Sequence, residues 1–469
     1  MSTMPTRGIL AYGAYLPYWR LNRTSIAEVT GATAGRGHRS VASFDEDTTT
    51  MGVEATRTAL AGGALSPEAV WFSTVAPAYL DKTNAAAIHA ALRFDAAISA
   101  VDFGGAARSA VGALRAALGS PSRTLVVASD LRVGRSGGSE ESEGGDAAVA
   151  VLVGSGDEGP LLAEYLGGAA ASAEFTDRWR IPGEAHSRTW EDRFGEQAYG
   201  PLVEKAWADA LRAVGLEAGD VDRAVVTGLH RRATARSASA LGVAGVDDLA
   251  TEVGNTGAAH PTLLLAHLLD SAEADRVVAL VVLADGCDVL LFRTTGALEL
   301  GRPVRTVSAQ LGHRADVPYG RYLAWWGLLE TQAPNRPAPS RTSSPAALRR
   351  ADWKLGFVGS RDTTTGITHL PPSRIGILGG VADCMEEAPM ADVVGEIVTV
   401  TVDRLAYSPS PPVVFAVVDF EGEGRMPVEL ADVDPDGVAI GDPVEMTFRR
   451  LNSADGIHNY FWKARPVRA

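Results

Sequence analysis

The stretch from Ile98 to Leu118 has the residue order of a site that could hold a nucleophile. An apolar run, Ala96 to Phe103, predicts a buried strand, Gly104-Gly105 predicts a tight turn, and small residues predict a helix from about Arg108 to Leu118. The unpaired amide groups at such a helix N-terminus lower the pKa of a nucleophile and stabilise an oxyanion. The stretch contains no cysteine.

This stretch resembles the nucleophile turn of the thiolase-superfamily condensing enzymes, the ketoacyl synthase III and HMG-CoA synthase group. In that group an aspartate is followed by four residues, the catalytic cysteine and then small residues. Counting from Asp102 places Ala107 at the cysteine and Arg108 at a small residue. A methyl group cannot carry an acyl chain, so the resemblance implies that acyl transfer through position 107 is lost.

The charge of Arg108 is unusual at the start of a buried helix. It opposes the helix dipole and is costly to bury without a partner. We therefore expect Arg108 to fill the vacant acyl pocket and to pair with Asp102 or with a carboxylate of a partner subunit.

Two further catalytic positions of the same family are also replaced. HMG-CoA synthases place an acid/base glutamate in a Ser-Glu-Ser segment, and alignment through Lys82 puts Val75 there. Counting back from Leu241 puts Thr227 at the family's histidine. The family's Gly-Asn-Thr turn is kept, and its Asn255 either holds the turn or touches a substrate. Three replacements together predict a loss of catalysis.

Other polar residues nearby could restore or assist chemistry. His230 lies three residues after Thr227 and is either the displaced active histidine or a polar loop residue. Its neighbours Arg231 and Arg232 could contact the phosphates of CoA or lie in a salt-bridged loop. Cys287 is either a replacement nucleophile or a small buried residue.

The first 330 residues read as two similar halves, 1–165 and 166–330, in which strands alternate with helices. The opening, with Asp-Glu-Asp-Thr at Asp45 to Thr48, resembles that of archaeal-type HMG-CoA synthases. Two such halves predict an α/β protein with stacked mixed sheets and buried helices between them. This is the layered αβαβα arrangement of the thiolase fold that the motifs imply.

The remaining residues differ in composition. Thr331 to Arg350 contains four prolines and is predicted to be a linker. Residues 351–469 carry long β-type runs, near 396–405, 412–420 and 443–451, which predict a small all-β barrel. This part resembles the OB-fold domain that accompanies acyl-CoA-processing thiolases and usually begins with a zinc ribbon.

The zinc ligands of that ribbon are missing. Where the family has Cys-x-x-Cys-Gly, this chain has DTTTG at Asp362 to Gly366. A tetrahedral zinc site needs four suitable ligands, and His369 with a distant Cys384 cannot supply them. We expect a degenerate ribbon without zinc and no metal site.

Charge and composition exclude several function classes. The formal net charge of −14 argues against a nucleic-acid partner and against docking on anionic lipid. The longest apolar run, Val277 to Leu283, is too short to span a membrane, and the first ten residues lack a signal-peptide core. Two cysteines in 469 residues favour a reducing, cytoplasmic environment.

These features predict a non-catalytic, thiolase-fold subunit fused to an OB-fold domain. Resemblance to multi-subunit acyl-CoA or acyl-transfer complexes implies a homodimeric core and a separate thiolase-type subunit that carries the nucleophile. Acyl-CoA or CoA is the expected ligand, bound with help from the OB domain, and no covalently bound cofactor is expected. The alternative is an active acyltransferase, lyase or HMG-CoA synthase-like enzyme that uses displaced residues such as His230.

Overall fold

The computed structural model describes residues 5–33, 35–63, 65–421 and 424–468 of the 469-residue chain. By their contacts these residues form two compact units. Unit 1 contains the residues up to Ala42, Glu54–Ala86 and Asp95–Tyr319. Unit 2 contains Ser43–Val53, Ala87–Phe94 and the residues from Gly320 onward.

The elements of the first 316 residues alternate between strands and helices. In chain order they are β1 (Arg7–Tyr15), β2 (Trp19–Asn22), α1 (Arg23–Thr30), β3 (His38–Val41), α2 (Thr48–Leu60), β4 (Ala69–Ser73), α3 (Ala85–Ala91), β5 (Ser99–Phe103), α4 (Ala107–Gly119), β6 (Thr124–Asp130), α5 (Ser139–Glu143), β7 (Ala147–Ser155), β8 (Ala163–Ser172), β9 (Arg178–Trp179), β10 (Arg188–Thr189), α6 (Asp192–Val214), β11 (Arg223–Gly228), α7 (Arg231–Leu241), α8 (His260–Ser271), β12 (Val277–Leu283), β13 (Gly286–Thr294), α9 (Leu298–Gly301), α10 (Val307–Gly312) and β14 (Ala315–Asp316).

The later elements are mostly strands. They are α11 (Tyr319–Trp325), α12 (Ser344–Arg349), α13 (Ala351–Lys354), β15 (Val358–Asp362), β16 (Thr368–His369), β17 (Met385–Pro389), β18 (Gly395–Asp403), β19 (Val413–Phe420), β20 (Arg425–Glu429), β21 (Pro443–Ala454) and β22 (Ile457–Pro466). Helix α12 lies inside the predicted linker, whereas residues 331–343 form no helix or strand.

A nine-stranded mixed sheet organises unit 1. Its strand order is β11-β12-β13-β8-β1-β7-β6-β4-β5, with parallel pairing at β11–β12, β4–β6 and β4–β5. Strand β8 crosses the predicted boundary between residues 165 and 166 and joins the two halves in one sheet. It pairs with β1 of the first half, where Gly8 pairs with Glu164, and with β13 of the second half. All nine residues of β7 are buried, as expected for a central strand covered on both faces.

Buried helices lie against this sheet. Nine of the twelve residues of α8 are buried, since the helix is apolar nearly all round. Helices α4 and α8 share one apolar cluster with β7, whereas α6 contributes to a second cluster with β12 and β13. The core is therefore layered, with helices packed against strands.

The strand before α4 differs from the prediction. We expected a buried strand, but β5 is at the edge of the sheet and exposes Ser99, Val101 and Asp102. Among the described residues, no strand pairs with the outer side of β5, so the apolar run is partly exposed. Helix α4 begins at Ala107, one residue earlier than predicted.

Unit 2 contains a small antiparallel barrel. Its strand order is β20-β19-β18-β21-β22, and a bridge between Leu430 and Ala464 joins the two ends of the sheet. Buried and less buried residues alternate along β19, as in a strand with one face toward a barrel interior. A three-stranded sheet, β16-β15-β17, precedes the barrel in the chain.

A buried ionic network joins the barrel to the acidic start of α2 within unit 2. The Nη1 atom of Arg449 lies 3.2 Å from Asp45 Oδ1 and 3.0 Å from Glu46 Oε1. The Nζ atom of Lys463 lies 2.9 Å from Asp45 Oδ2 and 2.7 Å from Glu429 Oε2. Burial alone would raise the pKa of Asp45, but Lys463 and Arg449 hold that pKa at about 2.

Within the described ranges, no helix is both long and apolar enough to cross a membrane.

Candidate functional site

The start of α4 carries the first of the predicted site positions. Ala107 is the first residue of the helix and follows Ala106, which has an extended backbone. Ala107, Thr227 at the end of β11 and Asn255 all line one small cavity. Val75 does not line this cavity and packs against the apolar cluster of Ala110, Ala128, Ala258 and Ala259. The fold thus brings Ala107, Thr227 and Asn255 together at one cavity.

This cavity is very small. Its volume is about 10 Å³, and apolar side chains of Leu229, Pro261, Val282 and Leu283 contribute to its lining. A volume of about 10–15 Å³ is the minimum that holds one water molecule. In this conformation the cavity has no room for an acyl group next to Ala107.

Asn255 holds its turn through both ends of its amide. Its Oδ1 accepts a hydrogen bond from Gly257 N at 2.9 Å, and its Nδ2 donates to Gly228 O at 2.9 Å. Of the two predicted roles, this geometry matches the structural one.

A histidine that the sequence analysis did not single out also lines the small cavity. His260 is the first residue of α8 and only 4% exposed. Thr256 N donates to its Nδ1 at 3.3 Å, so the neutral ring carries its proton on Nε2. Burial lowers the pKa of His260 to about 4, which keeps the ring neutral at neutral pH. Its place before Pro261, at the start of an apolar helix, was the available sequence signal.

His230 lines a different cavity. It is the N-cap of α7, where its Nδ1 accepts a hydrogen bond from Ala233 N at 3.1 Å. Its ring packs closely on Gly195, since a Cβ there would lie 2.2 Å from the ring Cδ2. The ring is therefore held between α6 and α7.

Cys287 is fully buried in β13. Its Sγ lies 3.9 Å from the carbonyl oxygen of Asp288. Burial, with a contribution from the Asp288 carboxylate, raises the pKa of the thiol to about 12. A buried, protonated thiol is a poor nucleophile. Of the two alternatives for Cys287, its environment therefore matches a small buried residue and not a replacement nucleophile.

Arg108 has a carboxylate partner, but the predicted pairing with Asp102 is wrong. Its Nε lies 2.8 Å from Asp288 Oδ2, and its Nη1 donates to Asp285 O at 2.7 Å. Asp102 instead accepts a hydrogen bond from Ala85 N, at the start of α3, at 2.8 Å. The carboxylate of Asp102 therefore holds the start of α3, and Arg108 pairs with Asp288 of β13 instead.

A larger cavity of about 680 Å³ adjoins the small one, since Leu229 and Asn255 line both. Its wall is rich in charged side chains, among them Arg132, Glu140, Glu143, Arg178, Glu191, Arg231 and Arg232. Arg231 lies 3.4 Å from Glu143 and Arg232 lies 4.0 Å from Glu196, and both arginines are largely exposed. These ion pairs at the rim leave both guanidinium groups accessible to an anion.

The ribbon turn does not fit a zinc ion. The carboxylate of Asp362 accepts hydrogen bonds from Thr364 N at 2.8 Å and Thr365 N at 3.3 Å, and Thr363 N donates to Cys384 O at 2.9 Å. In the part of the chain that the structure describes, no group of three or more His, Cys, Asp or Glu side chains could hold a metal ion. Hydrogen bonds therefore close the turn.

The fold and the site together define a thiolase-like condensing-enzyme architecture with an OB-fold domain. A crystal structure of HMG-CoA synthase with CoA matches with a TM-score of 0.58 at 18% identity, over 72% of this chain and 94% of that one. A 3-oxoacyl-(acyl carrier protein) synthase III from Pseudomonas aeruginosa matches with a TM-score of 0.53 at 21% identity, over 62% and 98%. Residues 387–449 match the family described as "ChsH2, C-terminal OB-fold domain".

Sequence relatives narrow this class to one family. The hydroxymethylglutaryl-CoA synthase of Aeropyrum pernix is 30% identical over 343 residues, which cover 69% of this chain and 94% of that protein. The enzyme of the same name from Pyrobaculum neutrophilum is 28% identical over 341 residues, covering 67% and 96%. The chain belongs to the hydroxymethylglutaryl-CoA synthase family, which confirms the predicted resemblance and fold class.

Proposed function

We propose that this chain is a catalytically degenerate HMG-CoA synthase-like subunit of an acyl-CoA-processing complex. One observation carries the proposal: where the family would form a thioester, Ala107 presents a methyl group to a cavity of about 10 Å³. Covalent acyl transfer needs a nucleophile, a base that activates it and space for the acyl group. The residues at positions 75, 107 and 227 supply no thiol, carboxylate or imidazole.

The edge strand supports the proposed homodimeric core. An exposed edge presents unpaired backbone groups, which natural proteins protect or pair. Strand β5 has Ser99, Val101 and Asp102 exposed, and the turn residues 104–106 after it are exposed as well. Pairing of β5 with the β5 strand of a second chain, related by a two-fold axis, would give these backbone groups hydrogen-bond partners.

Two cavities support the proposed binding of acyl-CoA. The larger cavity of unit 1, at about 680 Å³, is in the size range of ligand sites, and Arg231 and Arg232 at its rim suit phosphate groups. In unit 2 a cavity of about 480 Å³ is lined by Trp353, Arg349 and Arg350. An aromatic ring and two guanidinium groups suit the nucleotide part of CoA.

A separate thiolase-type subunit would then hold the nucleophile. The OB-fold domain belongs to a family described from a ChsH2 protein, and this chain carries that domain fused to the thiolase-like part. In the proposed complex, this chain binds and positions an acyl-CoA while the partner forms and breaks the covalent bonds.

The test compares the purified chain alone with the chain plus a purified thiolase-type candidate partner. We expect no acyl adduct on this chain by intact mass after incubation with acetyl-CoA and longer thioesters. We also expect turnover only when both proteins are present. A stoichiometric adduct on Cys287, or turnover by this chain alone, would establish the displaced-residue enzyme instead.

A further inference from the structure

We propose that strands β21 and β22 of the barrel form a docking surface for an acidic helix start, and that this interaction holds without the covalent linker. The segment that the surface fits is Ser43–Val53, which carries three consecutive carboxylates, Asp45 to Asp47, at the beginning of α2. The chain would then behave as two covalently fused subunits. This inference does not depend on whether the thiolase-like part is catalytic.

The barrel and the acidic segment carry complementary charges. The guanidinium of Arg449 in β21 is fully buried and contacts Asp45, Glu46 and Asp432, the last at 2.6 Å. The ammonium group of Lys463 in β22 is also buried and adds a second contact to Asp45. Buried charges are tolerated only when they are paired and hydrogen-bonded, so the buried carboxylate of Asp45 requires the barrel cations. Those cations also pair with Asp432 and Glu429 of the barrel itself.

Hydrogen bonds beside the ion pairs also join the segment to the two strands. Arg450 N donates to Asp45 O at 2.9 Å, and Arg450 Nη2 donates to Phe44 O at 2.8 Å. Tyr460 Oη donates to Asp47 Oδ2 at 2.7 Å. These bonds fix the position of the segment along the strands, which charge attraction alone would not do.

The acidic segment and the barrel strands that it contacts lie far apart in the sequence. Asp45 and Arg449 are 404 residues apart, and residues 331–343, which lie between them, have no helix or strand. A linker of this kind contributes mainly effective concentration. Its Arg341 lies 3.9 Å from Asp455 between β21 and β22, but both side chains are exposed, and such pairs contribute little. Because the paired groups are buried, salt in solution screens them little. Non-covalent contacts should therefore be sufficient to hold the two pieces together.

The test uses the full chain with a protease recognition sequence inserted in residues 331–343. The protein is folded first, then cut, and the products are analysed by native size-exclusion chromatography and native mass spectrometry. We expect the two fragments to co-elute both at about 0.15 M salt and at about 1 M salt. Fragments that separate after a complete cut at the lower concentration would overturn the proposal.

Matched variants identify the contacts responsible. Arg449→Met should weaken the association of the cut fragments at least tenfold, whereas Arg425→Met, which removes an exposed pair with Asp419 on the same barrel, should not change it. Equal association of both variants would count against the surface. If Arg449→Met does not fold, the pair Asp45→Asn and Lys463→Met, alone and combined, provides a coupling measurement on the opposite partners. Additive effects of that pair would then contradict the proposal.

Discussion

At the residue scale, the site around position 107 lacks more than a thiol. The cavity beside Ala107 has a volume of about 10 Å³, and Thr227, which lines it, is the residue predicted to replace the family's histidine. Restoring the thiol alone would therefore supply neither space for an acyl group nor the base that is predicted to be missing.

Ala107→Cys should not become acylated by acetyl-CoA. Intact mass after incubation measures the adduct, and reaction with a small alkylating reagent shows whether the new thiol is reachable. The unmodified wild-type chain is the control, because its two cysteines are at positions 287 and 384. A stoichiometric acetyl group mapped to position 107 would mean that the cavity opens enough for chemistry.

His260 should make stability depend on pH in the acidic range. Its folded pKa of about 4 is below the ordinary value of 6.5, so the unfolded chain binds the proton more tightly. The stabilisation is complete above about pH 6.5 and is lost as the pH falls toward 4. Compared with His260→Gln, the wild type should lose up to about 3 kcal/mol more between these values.

Urea unfolding at several pH values measures this difference. Comparison with the variant is needed because Asp130, whose pKa burial raises to about 6, has an effect of opposite sign on the pH dependence. Parallel pH profiles of the wild type and His260→Gln would show that His260 is not held neutral in the fold.

The sequence predicted the site positions better than their contacts. Ala107, Thr227 and Asn255 were identified by spacing within local motifs, and they line one cavity, whereas Val75 packs in a separate apolar cluster. The pairing of Arg108 with Asp288 was missed because it joins residues 180 positions apart. Such contacts follow from strand order, which local patterns do not reveal.

At the element scale, the edge strand β5 is the feature with the clearest consequence for assembly. A strand was predicted here, but β5 (Ser99–Phe103) is shorter than the predicted Ala96 to Phe103. Its edge position was not predicted, because burial was inferred from hydrophobicity alone. An edge strand can continue into a neighbouring sheet only if its outward groups permit pairing.

Val101→Lys should convert the proposed dimer to monomer. Val101 is 42% exposed in β5, and a lysine there disfavours edge-to-edge pairing. Light scattering after size-exclusion chromatography gives the mass. Val304→Lys is the matched control, since Val304 is 97% exposed and lies outside the sheet edge. A wild-type monomer, or a dimer in both variants, would contradict the proposed interface.

The ribbon element should fold without metal. The hydrogen bonds that Asp362 accepts from Thr364 and Thr365 close the turn where the family has cysteines. Metal analysis of the purified protein should find less than one zinc per chain, and a chelator should leave the melting temperature unchanged. Stoichiometric zinc would mean that residues outside the predicted turn supply the ligands.

At the scale of the whole molecule, composition and motif order predicted both the thiolase-like architecture and the OB-fold barrel. Barrel strands expected near 396–405, 412–420 and 443–451 are β18, β19 and β21, because alternating runs between turns are a local signal. The partnership of Asp45 with Arg449 and Lys463 could not be predicted in this way. This pairing depends on which surface of the folded chain the acidic segment packs against, and local sequence patterns do not contain that information.

Asp45→Asn should strongly destabilise unit 2. Removing one partner from a buried ion network leaves the others uncompensated, at a cost of about 3–5 kcal/mol. Chemical unfolding monitored by tryptophan fluorescence measures the loss. Asp419→Asn, in an exposed pair with Arg425, should leave stability unchanged. Similar stability of both variants would mean that the buried network contributes little.

The same network sets an order of events during protein synthesis. Asp45 is made 404 residues before Arg449, which at about 5–20 residues per second is a delay of about 20 to 80 seconds. Throughout that interval the segment awaiting its partner is carboxylate-rich and well hydrated, so it offers little to attract other nascent chains. The cationic side of the interface is made last, when its acidic counterpart has long since emerged from the ribosome. Unit 2 can therefore be completed only after nearly the whole chain has been translated.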